Sequence, residues 1–213
     1  MVSDKGDVLM KKINIAIAFM LLISLVYSPV HADEVKEVYL TFDDGPIPEV
    51  TPRVLEILRN YGVKATFFMV GDNVRKYPEV FEMVKSDGHR LGNHTFNHLG
   101  GIKHSTKDYV LNIHKANAYI HSDLFRPPHG WLRHRQYYFL KRHYKLVMWD
   151  LVTRDYSKRL NADDVFENVR RYARPGSIIT FHDSLRSVPK LWSALPRSIE
   201  WLLAEGYEFR VIP

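Results

Sequence analysis

Two adjacent carboxylates, Asp43 and Asp44, follow the apolar run Val38–Phe42 and stand directly before Gly45-Pro46. Neighbouring side chains on a strand point to opposite faces, so one acid can bind a cation while the other takes a proton. Asp before Gly is also an ordinary turn, and the pair alone does not decide between the two. A second feature does more. His94 and His98 are four residues apart in HTFNH. On a helical turn that spacing sets both imidazoles on one face, able to grip one ion. Two histidines and a carboxylate hold a divalent metal and leave coordination open for water. The chain has no cysteine, so thiolate metal sites, a cysteine nucleophile and disulfides are excluded.

Other polar residues recur at the ends of apolar runs. Arg126-Pro127-Pro128-His129-Gly130 follows Leu124-Phe125, Asp150 and then Asp155 follow Lys145–Trp149, and His182-Asp183 follows Ser177–Phe181. Taken singly, Arg126 reads as a surface arginine on a rigid turn, Asp155 as a loop cap beside Arg154, and His182 as a core histidine. Tyr119 and Trp131 read as core or rim, although Trp131, directly after Gly130, can line a sugar groove.

The elements that must position these residues alternate. Strand-like runs cover 38–42, 65–70, 90–93, 124–126, 145–149, 177–181 and 207–211. Helical spacing covers 50–61, 78–86, 106–120, 133–142, 162–172 and 189–203, with Thr51, Ser105 or Thr106, and Asn161 as caps. Seven short strands alternating with helices predict parallel β/α units closed into a barrel slightly smaller than the usual eight-fold one. In such a barrel the chemistry gathers at the carboxyl ends of the strands, where these polar residues stand. No linker, repeat or low-complexity stretch divides the chain, which predicts one domain.

Composition sets outer bounds. The 213 residues are 46% hydrophobic and 25% charged, an ordinary globular balance, with a formal net charge of +6. The clusters Arg133-His134-Arg135, Lys141-Arg142-His143 and Arg170-Arg171 are interrupted by aromatic and aliphatic residues and read as solvated helix faces. No nucleic-acid motif accompanies them, so a nucleic-acid partner is not expected. A basic face favours an acidic polymer or an anionic envelope surface. At the N-terminus, Lys11-Lys12, the apolar run Ile13–Tyr27 and Pro29-Val30-His31-Ala32 predict a secretory signal peptide over 1–32, with export out of the cytoplasm. An uncleaved membrane anchor is the alternative, although the run is short for a span. Without 1–32 the net charge is +5.

TFDDGP at 41–46, HTFNH at 94–98, RPPHG at 126–130, Asp155 and His182-Asp183 occur in an order that resembles the polysaccharide deacetylase family, the NodB-homology domain of carbohydrate esterases. The resemblance spans nearly all of 33–213. It implies a distorted (β/α)7 barrel and metal-dependent removal of acetyl groups from carbohydrate. It implies that Asp44, His94 and His98 hold the metal, expected as Zn²⁺ or another divalent ion such as Co²⁺ or Mn²⁺. By the same resemblance Asp43 is the general base, Arg126 pairs with Asp43, His182 is the general acid, and Asp155 orients and charges His182. A backbone N–H near His129 stabilises the oxyanion. Two positions depart from the family pattern. Thr180 stands where leucine lines the acetyl pocket, and Tyr156 stands where tryptophan follows the aspartate.

The sequence therefore predicts a secreted or envelope deacetylase acting as a monomer on an N-acetylated glycan. Peptidoglycan, chitin-like oligomers and an N-acetylglucosamine exopolysaccharide remain open. O-acetyl ester hydrolysis, a non-catalytic glycan-binding module and a structural envelope protein with a stabilising ion are the alternatives.

Overall fold

The structure, a computed structural model, describes residues 35–213; the expected signal peptide or anchor over 1–32 lies outside them. Among the described residues, no helix is long and apolar enough to cross a membrane.

Strands and helices alternate as β1 (Lys36–Asp43), α1 (Thr51–Asn60), β2 (Thr66–Met69), α2 (Gly71–Lys76), α3 (Pro78–Ser86), β3 (Arg90–Asn93), α4 (Thr106–Ile120), β4 (Leu124–Phe125), α5 (His134–Leu140), β5 (Lys145–Leu146), β6 (Leu151–Val152), α6 (Ala162–Tyr172), β7 (Ile178–His182), α7 (Val188–Ala204) and β8 (Tyr207–Arg210). Every strand pair is parallel. The order is β5-β4-β3-β2-β1-β7-β6, and β8 pairs with the amino-terminal half of β1. This is the expected distorted barrel in a single domain, with the helices packed outside.

The predicted fifth strand, 145–149, is corrected by the structure. Only Lys145-Leu146 of it is paired, as β5; after Asp150, Leu151-Val152 forms β6 at the opposite edge of the sheet. Residues 147–150 cross between those edges, so the apolar side chains Val147, Met148 and Trp149 lie on the crossing instead of in a strand. Two backbone bonds fasten the crossing. Val147 N–H donates to Phe125 O at one end, and Asp150 N–H donates to Ile178 O at the other. The sheet thus counts eight short strand segments within the expected (β/α)7-type barrel.

Side-chain alternation separates a dry layer from the site. Phe42, Phe67 and Phe181 are in register across β1, β2 and β7 and stack with centroids 4.9 and 6.1 Å apart. They belong to the main core under α1, α6 and α7. Thr41, Asp43, Thr180 and His182 alternate with these rings and therefore face the barrel interior. Phe68 also lies inside, over Gly92 on β3; a Cβ on Gly92 would fall 2.4 Å from that ring, so only glycine lets it sit there.

Caps follow the sequence in two helices. Ser105 accepts from Asp108 N at 3.1 Å, and Asn161 accepts from Asp164 N at 3.0 Å. Thr51 is not the cap of α1, because its hydroxyl is occupied elsewhere. It accepts from Ile47 N and donates to Asp183.

Candidate active site

The carboxyl ends of the strands open on a cleft of about 850 Å³ whose lining includes Asp43, Asp44, His94, His98, His129 and His182. Asp43 is the last residue of β1 and lies opposite Phe68 on β2 and His182 on β7. Its carboxylate is buried and accepts a hydrogen bond from Arg126 Nη1 at 2.7 Å.

Arg126 is not the surface arginine that its Pro-Pro neighbours suggest. It is 0% exposed, the largest fully buried side chain. Nη1 also reaches Thr41 Oγ1 at 2.8 Å and Thr180 Oγ1 at 3.2 Å, Nη2 donates to Met148 O, and Nε donates to Val147 O. Its guanidinium lies 4.0 Å from the Phe68 ring centroid. A buried charge needs this degree of pairing, because desolvation is otherwise prohibitive. Burial works to raise the pKa of Asp43, but the Arg126 guanidinium foremost, with His182, draws it below the usual carboxylate value. Asp43 is therefore ionised at neutral pH.

Asp44 takes the opposite direction, with φ of 87°. Its backbone carbonyl accepts from Asn73 Nδ2 at 2.9 Å. Its Oδ1 lies 3.4 Å from His98 Nε2 and 3.8 Å from His94 Nε2. One ligand atom from each of Asp44, His94 and His98 falls within 4.8 Å of the others.

The route by which the histidines converge differs from expectation. Residues 94–98 form no helical turn; Thr95 and His98 have left-handed φ values of 67° and 57°. Asn93 Oδ1 accepts from Thr95 N, and Thr95 Oγ1 accepts from Leu99 N, each at 2.8 Å, so short polar side chains hold the turn. The two imidazole centroids end 5.1 Å apart.

The donor set fits a divalent ion. His94 Nδ1 lies 2.8 Å from Arg126 O, which can only accept, so the hydrogen is on Nδ1 and the Nε2 lone pair is free. Burial lowers the pKa of His94, and burial foremost lowers that of His98 to about 4. Asp44 Oδ1 is buried with no hydrogen-bond partner, an acceptor that a cation would satisfy.

Across the cleft, His182 Nδ1 and Asp155 Oδ1 are 2.8 Å apart, and Asp155 Oδ2 accepts from His182 N at 2.8 Å. Asp155 is 0% exposed and is tied to His182 rather than to Arg154. Burial opposes a charge on His182, but the hydrogen bond and charge of Asp155, with Asp43 and Asp44, outweigh it and raise the pKa to about 9. Nε2 is left as the nitrogen available to the cleft.

The remaining expected residues divide. Thr180 lines the cleft, but its hydroxyl is bound to Thr41 and Arg126. Tyr156 lines it edge-on to His182, with centroids 4.9 Å apart. His129 lines it in a left-handed conformation (φ 62°), edge-on to His98. Trp131 is 64% exposed and stands outside the cleft wall.

Sequence reasoning gave Asp183 no role. Its Oδ1 accepts from Gly45 N at 3.0 Å, and its Oδ2 accepts from Thr51 Oγ1 at 2.7 Å. Burial pushes its pKa up to about 8. It fastens the end of β7 to the residue after Asp44. Position after a strand was the available signal, and the same signal marks Asn73, two residues past Gly71.

These motifs match known proteins. The polysaccharide deacetylase family profile matches residues 31–143. A peptidoglycan-N-acetylglucosamine deacetylase of Bacillus cereus is 33% identical over 185 residues, covering 83% of this chain and 67% of its own length. The solved peptidoglycan deacetylase PdaC of Bacillus subtilis superposes with a TM-score of 0.76 at 29% identity, over 84% of this chain and 89% of that one. A solved pseudoenzyme of the same fold from Bacillus anthracis superposes with a TM-score of 0.75 at 28% identity, over 84% of this chain and 64% of that one. Profile, relative and fold thus agree with the motifs gathered around the cleft, and the chain belongs to the polysaccharide deacetylase family.

Proposed function

We propose that the chain is a metal-dependent hydrolase that removes N-acetyl groups from an N-acetylglucosamine-containing polysaccharide of the cell envelope. The observation that carries this is the pairing of an ion-ready Asp44–His94–His98 cluster with an Asp43 carboxylate held ionised by buried Arg126. A divalent ion such as Zn²⁺, Co²⁺ or Mn²⁺ there supplies Lewis acidity and lowers the pKa of water to about 7.

The chain's own groups do the rest. Asp43 accepts the proton of the attacking water as general base. The backbone N–H at His129 donates to the oxyanion that develops on the acetyl carbonyl. His182, protonated through its bond to Asp155, gives its proton to the departing amine nitrogen. Thr180 and Tyr156 stand beside these groups and form the pocket that receives the acetyl group.

The similarity to a cell-wall deacetylase favours peptidoglycan as the substrate class. Similarity to a pseudoenzyme shows that fold alone does not secure turnover. Retention of Asp43 and His182, neither of which glycan binding requires, supports catalysis.

The test is acetate release from peptidoglycan, chitin oligomers and O-acetylated xylan, with chelator and metal add-back. Metal-restored release from the N-acetylated glycans is expected. Release from xylan alone makes the chain an ester hydrolase, and no release from any of them contradicts the assignment.

A further inference from the structure

Residues 126–149 contain six lysines and arginines and no aspartate or glutamate. Arg126 is consumed by the site; Arg133, Arg135, Lys141, Arg142 and Lys145 are exposed. Elsewhere some surface arginines have a carboxylate at hand, as in Arg90–Asp123, Arg170–Glu167 and Arg197–Asp163. Among the described residues, Arg135, Lys141 and Arg142 pair with no carboxylate, whereas Arg133 donates to Ile102 O and Lys145 to Pro213 O, each at 2.9 Å. Uncompensated like charges on one short helix and its flanks repel one another, a cost that a polyanion would relieve.

The same surface exposes aromatic rings. Trp131 is 64% exposed, Tyr137 45% and Tyr138 46%. Lys141 lies over both tyrosines, 5.3 and 4.5 Å from their centroids, so charge and ring faces share one patch. Ring faces beside cations suit a polymer of sugar rings that carries carboxylates.

The patch follows the cleft-lining His129 directly along the chain and is fixed in place. The loop that supplies Arg126 and His129 runs directly into Trp131. Gln136, buried on the inner face of α5, donates to Gly101 O at 2.9 Å and so fixes the helix to the segment that follows His98. Gly101 sits so close that a Cβ would fall 2.6 Å from Gln136 Oε1.

We infer that the 131–143 surface is a second docking site, which holds the anionic glycan strand where it leaves the cleft. Sugar rings stack on Trp131, Tyr137 and Tyr138, and carboxylates pair with Arg135, Lys141 and Arg142. This rests on the envelope-glycan reading above for the identity of the strand. An anionic lipid surface is a weaker fit, because the rings are mixed with cations around α5 instead of forming one apolar face.

The test is co-sedimentation of the full chain with peptidoglycan sacculi stripped of teichoic acid. Two variants are compared with the wild type: Arg135→Gln/Lys141→Gln/Arg142→Gln and Tyr137→Ala/Tyr138→Ala. Each is expected to bind about tenfold more weakly at low salt. Wild-type binding should weaken with added salt, and binding by the triple variant should hardly respond. Release of acetate from a short neutral N-acetylglucosamine oligomer should be unchanged. Wild-type sedimentation by both variants overturns the inference. So does binding to phosphatidylglycerol vesicles that the triple variant loses while its sacculus binding is intact. Sedimentation needs no turnover, so a failure of the proposed activity is read separately.

Discussion

Arg126 Nη1 donates to Asp43 Oδ1 across 2.7 Å, the arginine fully buried and the carboxylate reaching the cleft with only 5% of its side chain exposed. Removing the arginine leaves an uncompensated buried carboxylate. Arg126→Met should destabilise the fold by about 3–5 kcal/mol in denaturant unfolding. It should also raise the pKa of Asp43 and move the acidic limb of the rate profile to higher pH. Arg126→Lys keeps the charge but not the planar fork, and should fall between the two.

Asp43 itself is placed to move a proton and stands outside the ion cluster. Asp43→Asn should lower turnover by roughly 10²–10⁴-fold. Metal affinity by calorimetry and glycan binding should stay within about twofold of wild type, well below the roughly tenfold that 1.4 kcal/mol represents. Wild-type hydrolysis in this variant would remove Asp43 from its assigned role.

The His182–Asp155 pair fixes the alkaline side. A histidine whose folded pKa is raised from 6.5 to about 9 contributes stability that is full below about pH 6.5. That contribution is lost as the pH rises through about 9. As the proton donor, His182 should give turnover that declines over the same upper limb. Asp155→Asn removes the charge that raises this pKa. The alkaline limb of kcat should then move down by roughly one to two pH units.

Asp183 and Gly45 give a fourth test, of positioning. The Asp183 carboxylate lies against the Gly45 backbone so closely that a Cβ there would fall 2.0 Å from Oδ2. Asp183→Ala should weaken metal binding by about 10–100-fold without removing a ligand, because Asp44 loses its brace. Asp183→Asn, which keeps an acceptor for Gly45 N, should recover part of that loss. Gly45→Ala should lower stability by about 1–3 kcal/mol in thermal unfolding.

Much of this was legible before the structure. The alternation of apolar runs and helical spacing located β1, β2, α3 and α6, because their turns carry glycine or proline and their caps are local. Asp43, Asp44, His94, His98 and His182 stood at strand ends, where parallel barrels place their chemistry. What was illegible depends on long-range geometry. KLVMW looks like one strand because an apolar run does not record where the chain leaves a sheet edge. Spacing of four suggested a helical turn at His94–His98, where left-handed residues and the Asn93 and Thr95 side chains do the turning instead. Thr51 had the type and position of a cap, but Asp183, 132 residues away, claims its hydroxyl. Arg126 reads as exposed from its own neighbours, and only the family resemblance points to its pairing with Asp43; Thr41 as a further partner is not foreseen by either.

The central claim is that Asp44, His94 and His98 hold one divalent ion. Its most direct test is metal titration of the chelator-stripped chain, with Asp44→Ala and His94→Ala in parallel. One tightly bound Zn²⁺, Co²⁺ or Mn²⁺ per wild-type chain is predicted, with affinity lost in both variants. A wild-type chain that binds no ion, or variants that bind it as tightly as wild type, would contradict the account.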